Sequence, residues 1–167
     1  MIASLMQDLR EPEYIHVLLN PLPVYGLLIA IIGLAIALAQ KSRPAQVAML
    51  VLILLCATSA WPAHFGEAAY DRVLSLTNDQ GAAWLKVHRH RADEFLWCFY
   101  LLGALAALAI LLPMKWPKIA LILATVTILF SLVVLGMGAY IGYAGGKIRH
   151  REFRNEPAPA VPMEEDQ

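Results

Sequence analysis

The chain has 167 residues, 59% of them apolar, with a mean hydropathy of +0.59 and a formal net charge of zero. That composition is too apolar for an ordinary soluble domain and points to a multi-span membrane protein. The balanced charge argues against nucleic acid as a partner, and with two cysteines, Cys56 and Cys98, and no CxxCH there is no motif for covalent c-type haem.

The N-terminus, MIASLMQDLREPEY, lacks a basic leader, and the first apolar run lies too far in and is too long for a signal peptide. A short surface helix is expected there. A helix needs roughly 20 apolar residues to cross roughly 30 Å of hydrocarbon. Four stretches meet that condition: Leu22 to Ala39, Ala45 to Trp61, Phe95 to Leu112 and Ile119 to Tyr143. The first two are near the lower limit of length, so tilt or a local extension is expected. No strand-type alternation occurs, which disfavours a β-barrel.

The first span opens after Pro21-Leu22-Pro23 and ends at Gln40-Lys41-Ser42-Arg43, where Pro44 starts the second. Spans three and four are joined by Pro113 to Lys118. Both loops are short, so successive helices are antiparallel neighbours. The connection between spans two and three differs. After Pro62, a predicted kink, His64 to Leu74 still reads as amphipathic helix, and Thr77-Asn78-Asp79-Gln80 is the one clear turn signal. Helical pattern resumes from Gly81. The expectation is a hairpin that projects beyond the bilayer by about 18 Å at 1.5 Å per residue. Residues 1–154 form the transmembrane domain, and the proline-rich acidic tail 155–167 is expected to be disordered. The fold class is therefore all-α: an integral membrane four-helix bundle with both termini on one side.

Small residues form stripes: Gly26, Ala30, Gly33 and Ala37 in the first span, and Gly138, Gly142 and Gly146 in the fourth. Such stripes let helices approach closely in lipid. The sharper alternative is a flat wall for a cofactor or quinone. Trp61, Trp97, Trp116, Tyr25, Tyr140 and Tyr143 fall near span ends and read as interfacial anchors.

In this topology all five histidines, His16, His64, His88, His90 and His150, fall at one end of the bundle. Glu67 follows His64 by three residues and Glu94 follows His90 by four, spacings that share a helix face; Glu152 follows His150 by two. His88 and His90 are about 200° apart on a helix, so one of them points inward, and the pairing with Glu94 favours His90. The antiparallel register sets His90 opposite His64. Three readings follow. Facing histidines can ligate haem b; His64, Glu67, His90, Glu94 and His150 can hold a transition-metal ion, as bundle sites do; or the same residues solvate a bundle end, in a structural or assembly subunit of a membrane complex. The cofactor-binding set is His64, His90, His16 and His150, with Gly142, Gly146 and Arg149. Arg89, Arg91, Arg151 and Lys147 would ring that site. No nucleophile motif, Walker sequence or His-Glu-x-x-His occurs, so no enzyme activity is assigned.

Asn20-Pro21-Leu22-Pro23-Val24-Tyr25-Gly26 resembles the His-Pro-Leu-x-Val-His-Phe-Pro opening of a bacterial four-helix membrane domain family of unknown function. Gly66-Glu67-Ala68-Ala69 resembles that family's Gly-Glu-x-Ala motif, and Tyr143-Ala144-Gly145-Gly146-Lys147-Ile148 its last helix end. Asn20 and Tyr25 stand where the family has its two histidines, and Met137 stands near the place of a further one. Some members of that family precede cytochrome c-like domains. The resemblance thus implies electron transfer, a cytochrome or respiratory-type partner, and a bacterial inner membrane location with the termini and histidines periplasmic. Charge alone leaves the side open, because the short-loop cations Lys41, Arg43, Lys115 and Lys118 compete with the larger Lys and Arg count on the histidine side.

Overall fold

The computed structural model describes Met6, Gln7, residues 9–61 and residues 65–161, without the side chains of 12, 13 and 65–68. The described residues are predominantly helical, with no strand. In chain order they form α1 (Pro12–Leu19), a π-helical turn (Leu22–Gly26), α2 (Leu27–Ala39), α3 (Arg43–Thr58), α4 (Phe65–Ser75), α5 (Asp79–Lys115) and α6 (Ala120–Arg149). Three helical stretches are long and apolar enough to cross a membrane: Tyr14–Ala39, Asp79–Lys115 and Pro117–Arg149. The second apolar run gives a shorter helix, α3, whose 16 residues span about 24 Å at 1.5 Å per residue. The predicted kink at Pro62 lies outside the described residues.

The main core joins α2, α3, α5 and α6 through Leu27, Leu34, Leu50, Ile53, Leu102 and Val134, all with no exposed surface. The small-residue stripe of α2 belongs to it. A Cβ on Gly26 would sit 2.8 Å from Cys56 Sγ, and one on Gly33 would meet the Met49 side chain, so here the glycines do serve close helix packing.

Three prolines are accommodated by a distant donor or by a changed helix type. Pro113 lies inside α5, where its missing N–H strands the carbonyl of Ala109. Arg43 Nη2 donates to that carbonyl at 2.9 Å, so α5 continues to Lys115 and the expected loop starts only at Trp116. Pro21 and Pro23 likewise give no donor to the carbonyls of Val17 and Leu19. The chain widens into the π turn there, with Leu27 N–H reaching back to Leu22 O. α2 ends in a Schellman motif: Ser42 N donates to Ala37 O, Lys41 N donates to Leu38 O, and Lys41 takes φ 53°.

The turn expected at Thr77 to Gln80 is where α4 gives way to α5. α4 ends at Ser75, and Asn78 caps α5 by accepting from Gly81 N at 3.1 Å. A second apolar cluster forms beyond the main core from Trp84, Leu85 and Val87 of α5 with Ala144 and Ile148 of α6. Tyr70, Val73 and Leu74 of α4 pack against it, and so do Ala158 and Val161 from the segment expected to be disordered. Residues 155–161 thus lie on the protein as coil; 162–167 are outside the described residues.

Candidate functional site

Where α1 and the π turn meet α5 and α6, the helices leave a cavity of about 760 Å³, open on one side. Its size falls in the roughly 300–1,000 Å³ range of cofactor and small-molecule sites. The deep end is apolar: Val24, Leu96, Phe99 and Gly138. The other end carries His16, Asn20, His88, Arg149 and His150. Three histidines from three parts of the chain therefore converge on one space.

His88 is the best-defined of them. Its Nδ1 lies 3.0 Å from the carbonyl oxygen of Ile141 in α6. A carbonyl only accepts, so Nδ1 carries the proton and Nε2 keeps its lone pair. The ring lies against Gly145: a Cβ there would be 3.1 Å from Nδ1 and 3.2 Å from Cε1. His88 stands two turns before the apolar stretch that begins at Phe95. Burial pushes its imidazole below the ordinary histidine range; the Ile141 hydrogen bond opposes this, and the nearby charges of His16 and Arg91 reinforce it.

The expected inward histidine was His90, and the geometry reverses that orientation. His90 is exposed, as is Glu94. Positions 84, 88, 91, 95 and 98 recur every three or four residues and face α6, whereas 86, 90, 93, 94 and 97 form the exposed face of α5. The i,i+4 spacing of His90 and Glu94 thus marks a solvated face rather than an inner one. His64 lies outside the described residues, and so does the side chain of Glu67; their pairing with His90 is not described. Among the described residues, no three His, Cys, Asp or Glu side chains are grouped as a metal ion would need.

His16 and His150 both line the cavity. His150 is exposed at its edge, with Nδ1 2.9 Å from Glu152 Oε1. The Glu152 carboxyl is held below the usual carboxylate range by its own backbone N–H and then by this imidazole. Arg149 is on the lining, but the other expected cations are elsewhere or turned away. Arg91 is buried, donates to Tyr140 O at 2.9 Å and stacks 3.6 Å from that ring. Lys147 is buried 4.3 Å from the rings of both Trp84 and Tyr143.

The α6 glycines divide into two kinds. Gly138 packs, since a Cβ there would lie 3.3 Å from Phe99 and Val24. Gly142 and Gly146 face open space, with nothing within 4 Å of a Cβ, and both line the cavity. They are a bare wall rather than a packing surface. Gly145 was missed as a site residue in the sequence, although the Gly145-Gly146 pair was the available signal. Asn20 was marked only by its place in the Asn20-Pro21-Leu22-Pro23 motif, and Phe99 carried no signal. Comparison with family models, curated proteins and solved structures finds no match for this chain.

Proposed function

We propose that the chain is an integral membrane protein that binds haem b in this cavity, with His88 as the residue that would hold it, in an electron-transfer or redox process. The observation that carries the reading is His88 itself. A ligating imidazole characteristically donates its other ring N–H to a carbonyl or carboxylate, which fixes its tautomer and orientation. Ile141 O does this for His88. The remaining donor set fits the group. His16 lines the same cavity and is the second candidate ligand; the bare Gly142 and Gly146 wall gives a flat ring room to lie; Arg149 and His150 stand at the polar end where carboxylates would be neutralised. Haem would supply one-electron chemistry at its iron. The chain's own residues orient the ligand, exclude water at the Phe99 end and hold the proton at His88 Nδ1. A transition-metal ion is less well supported, because His90 and Glu94 turn outward.

Around this site we propose four crossings, with α3 helped by its continuation toward Trp61 and by local thinning of the bilayer, both termini and the histidines on the periplasmic side of a bacterial inner membrane, and the α4–α5 hairpin outside the bilayer. Labelling of single cysteines placed in the 41–44 loop and in the 77–80 turn checks this, and labelling of both from one side would refute it. For the ligand, the protein is purified in detergent and its visible spectrum recorded with and without dithionite, alongside iron analysis. A Soret band that shifts on reduction and is lost in His88→Ala but kept in His90→Ala is expected. A folded, chelator-free sample with neither band nor stoichiometric metal would leave the structural or assembly subunit.

A further inference from the structure

We propose that the groove between α4, α5 and α6 is a docking surface for an extended proline-rich segment, filled here by the chain's own residues 155–161, which act as a releasable strap. Three sets of observations support it. The segment reads Asn155-Glu156-Pro157-Ala158-Pro159-Ala160-Val161 and is half-buried at only two places in its proline-rich part, Ala158 and Val161. That spacing of three is one turn of a polyproline II helix, which places both side chains on one face and the prolines and Ala160 outside. The groove floor is the second cluster, Trp84, Leu85 and Val87 with Tyr70, Val73 and Leu74. Aromatic-lined grooves are the usual receptors of such segments, because the stiff ligand loses little entropy on docking.

The strap is anchored at its start. Arg154 Nε donates to Lys147 O and Nη2 to Ile148 O, both at 2.6 Å, and Nη1 donates to Asn78 Oδ1 at 2.8 Å. The first two acceptors are end carbonyls of α6, which have no partner within the helix. The third is the residue that caps α5. One side chain thus ties the C-terminal segment to both helix ends. Gly81 makes this possible, since a Cβ there would meet Thr77 Oγ1, Arg154 Nη2 at 2.9 Å and Ile148 O at 3.0 Å.

The strap also has something to hold. α4 packs chiefly on α1 and only slightly on α5. Ala158 and Val161 pack on the same α5–α6 cluster that receives Tyr70, Val73 and Leu74 of α4, so their loss would open the apolar surface on which α4 rests. Because α1 carries His16, docking of the tail bears on one wall of the cavity, whatever occupies it.

The test uses the full chain in detergent. A spin label at exposed Ala160→Cys, with buried Cys56 and Cys98 left in place, is expected to be immobilised. Val161→Asp should free it and raise amide hydrogen exchange in 65–75 and 12–19 by about tenfold, with 120–140 unchanged as the check on folding. A milder variant, Pro157→Gly with Pro159→Gly, keeps both contacts and loosens only the preorganised backbone, so a smaller rise in the same segments is expected. A synthetic peptide of residues 152–167, added to Val161→Asp at about the millimolar concentration that a short tether provides, should restore slow exchange in 65–75. A mobile label in the parent protein, unchanged exchange in Val161→Asp, or no restoration by the peptide would each overturn the proposal. None of these readouts depends on haem, so they stand apart from the spectrum that tests the cavity.

Discussion

The three glycines on the cavity side of α6 should separate stability from binding in opposite directions. Replacing a helical glycine with alanine stabilises a helix by about 1 kcal/mol when the new methyl meets nothing. Gly142 and Gly146 meet that condition, so Gly142→Ala and Gly146→Ala should each raise thermal stability by up to about that amount. At Gly145 the same gain is opposed. The methyl would press on His88 Nδ1 and Cε1 at 3.1 and 3.2 Å, and the ring must retreat from Ile141 O. Loss of that buried hydrogen bond costs about 1 kcal/mol, so Gly145→Ala should come out near zero. Binding should fall in all three: in the first two because methyl groups stand on the flat wall, in the third because His88 loses its orientation. The assay pairs unfolding in detergent, followed by near-ultraviolet circular dichroism, with haem uptake followed by absorbance. If Gly142→Ala and Gly146→Ala bind haem as the parent does, the wall is not the contact surface. If Gly145→Ala gains as much stability as the other two, the His88 hydrogen bond contributes nothing measurable.

Other expectations follow from single contacts. In the haem-free protein His88 has a folded pKa below its unfolded value near 6.5, so the unfolded chain takes up its proton first as pH falls. Its contribution to stability is therefore complete above about pH 6.5 and lost progressively below it; His88→Gln should flatten the acid side of a melting temperature profile, and an unchanged profile would refute the assignment. Arg43→Ala should cost about 1–3 kcal/mol by leaving Ala109 O without a donor in an apolar helix end. Pro113→Ala restores that donor, so the double variant should lose less than the sum, and strict additivity would deny the link. Lys41→Gly relieves the left-handed residue of the Schellman turn and should raise stability by about 0.5–1 kcal/mol, read in the same melts.

Much of the helical framework could be read because it depends on local quantities. Apolar run length set the long helices, and Asn78 followed by a resumed periodicity located the helix break that the Asn78 cap marks. The parts that escaped depend on distant residues. Pro113 reads as a helix end when only its neighbours are seen, and Arg43 lies far from it in the chain. The tail reads as disordered by composition, since alanine and proline bury little alone. The contacts made by Arg154, Ala158 and Val161 depend on helix ends and on an α5–α6 cluster that the tail's composition does not encode.

The choice between His88 and His90 shows which kind of pattern to rely on in such a chain. A His–Glu pair one turn apart is attractive chemically, but exposed helix faces are where charged i,i+4 pairs collect, because water solvates them there at little cost. The neighbouring Arg89 and Asp93, 3.8 Å apart and exposed, are the same pattern. The better guide was apolar phase. Trp84, Val87, Phe95, Cys98 and Leu102 define the inner face of α5 by spacing alone. His88 falls in that phase and His90 opposes it. Carried across to α6, the same reasoning explains why a glycine stands opposite: an imidazole on an inner face needs room and an acceptor. Gly145 gives the room, and the helix carbonyl of Ile141 one turn earlier gives the acceptor. A histidine in core phase facing a glycine of the partner helix is therefore a stronger sign of a built site than a histidine beside a carboxylate.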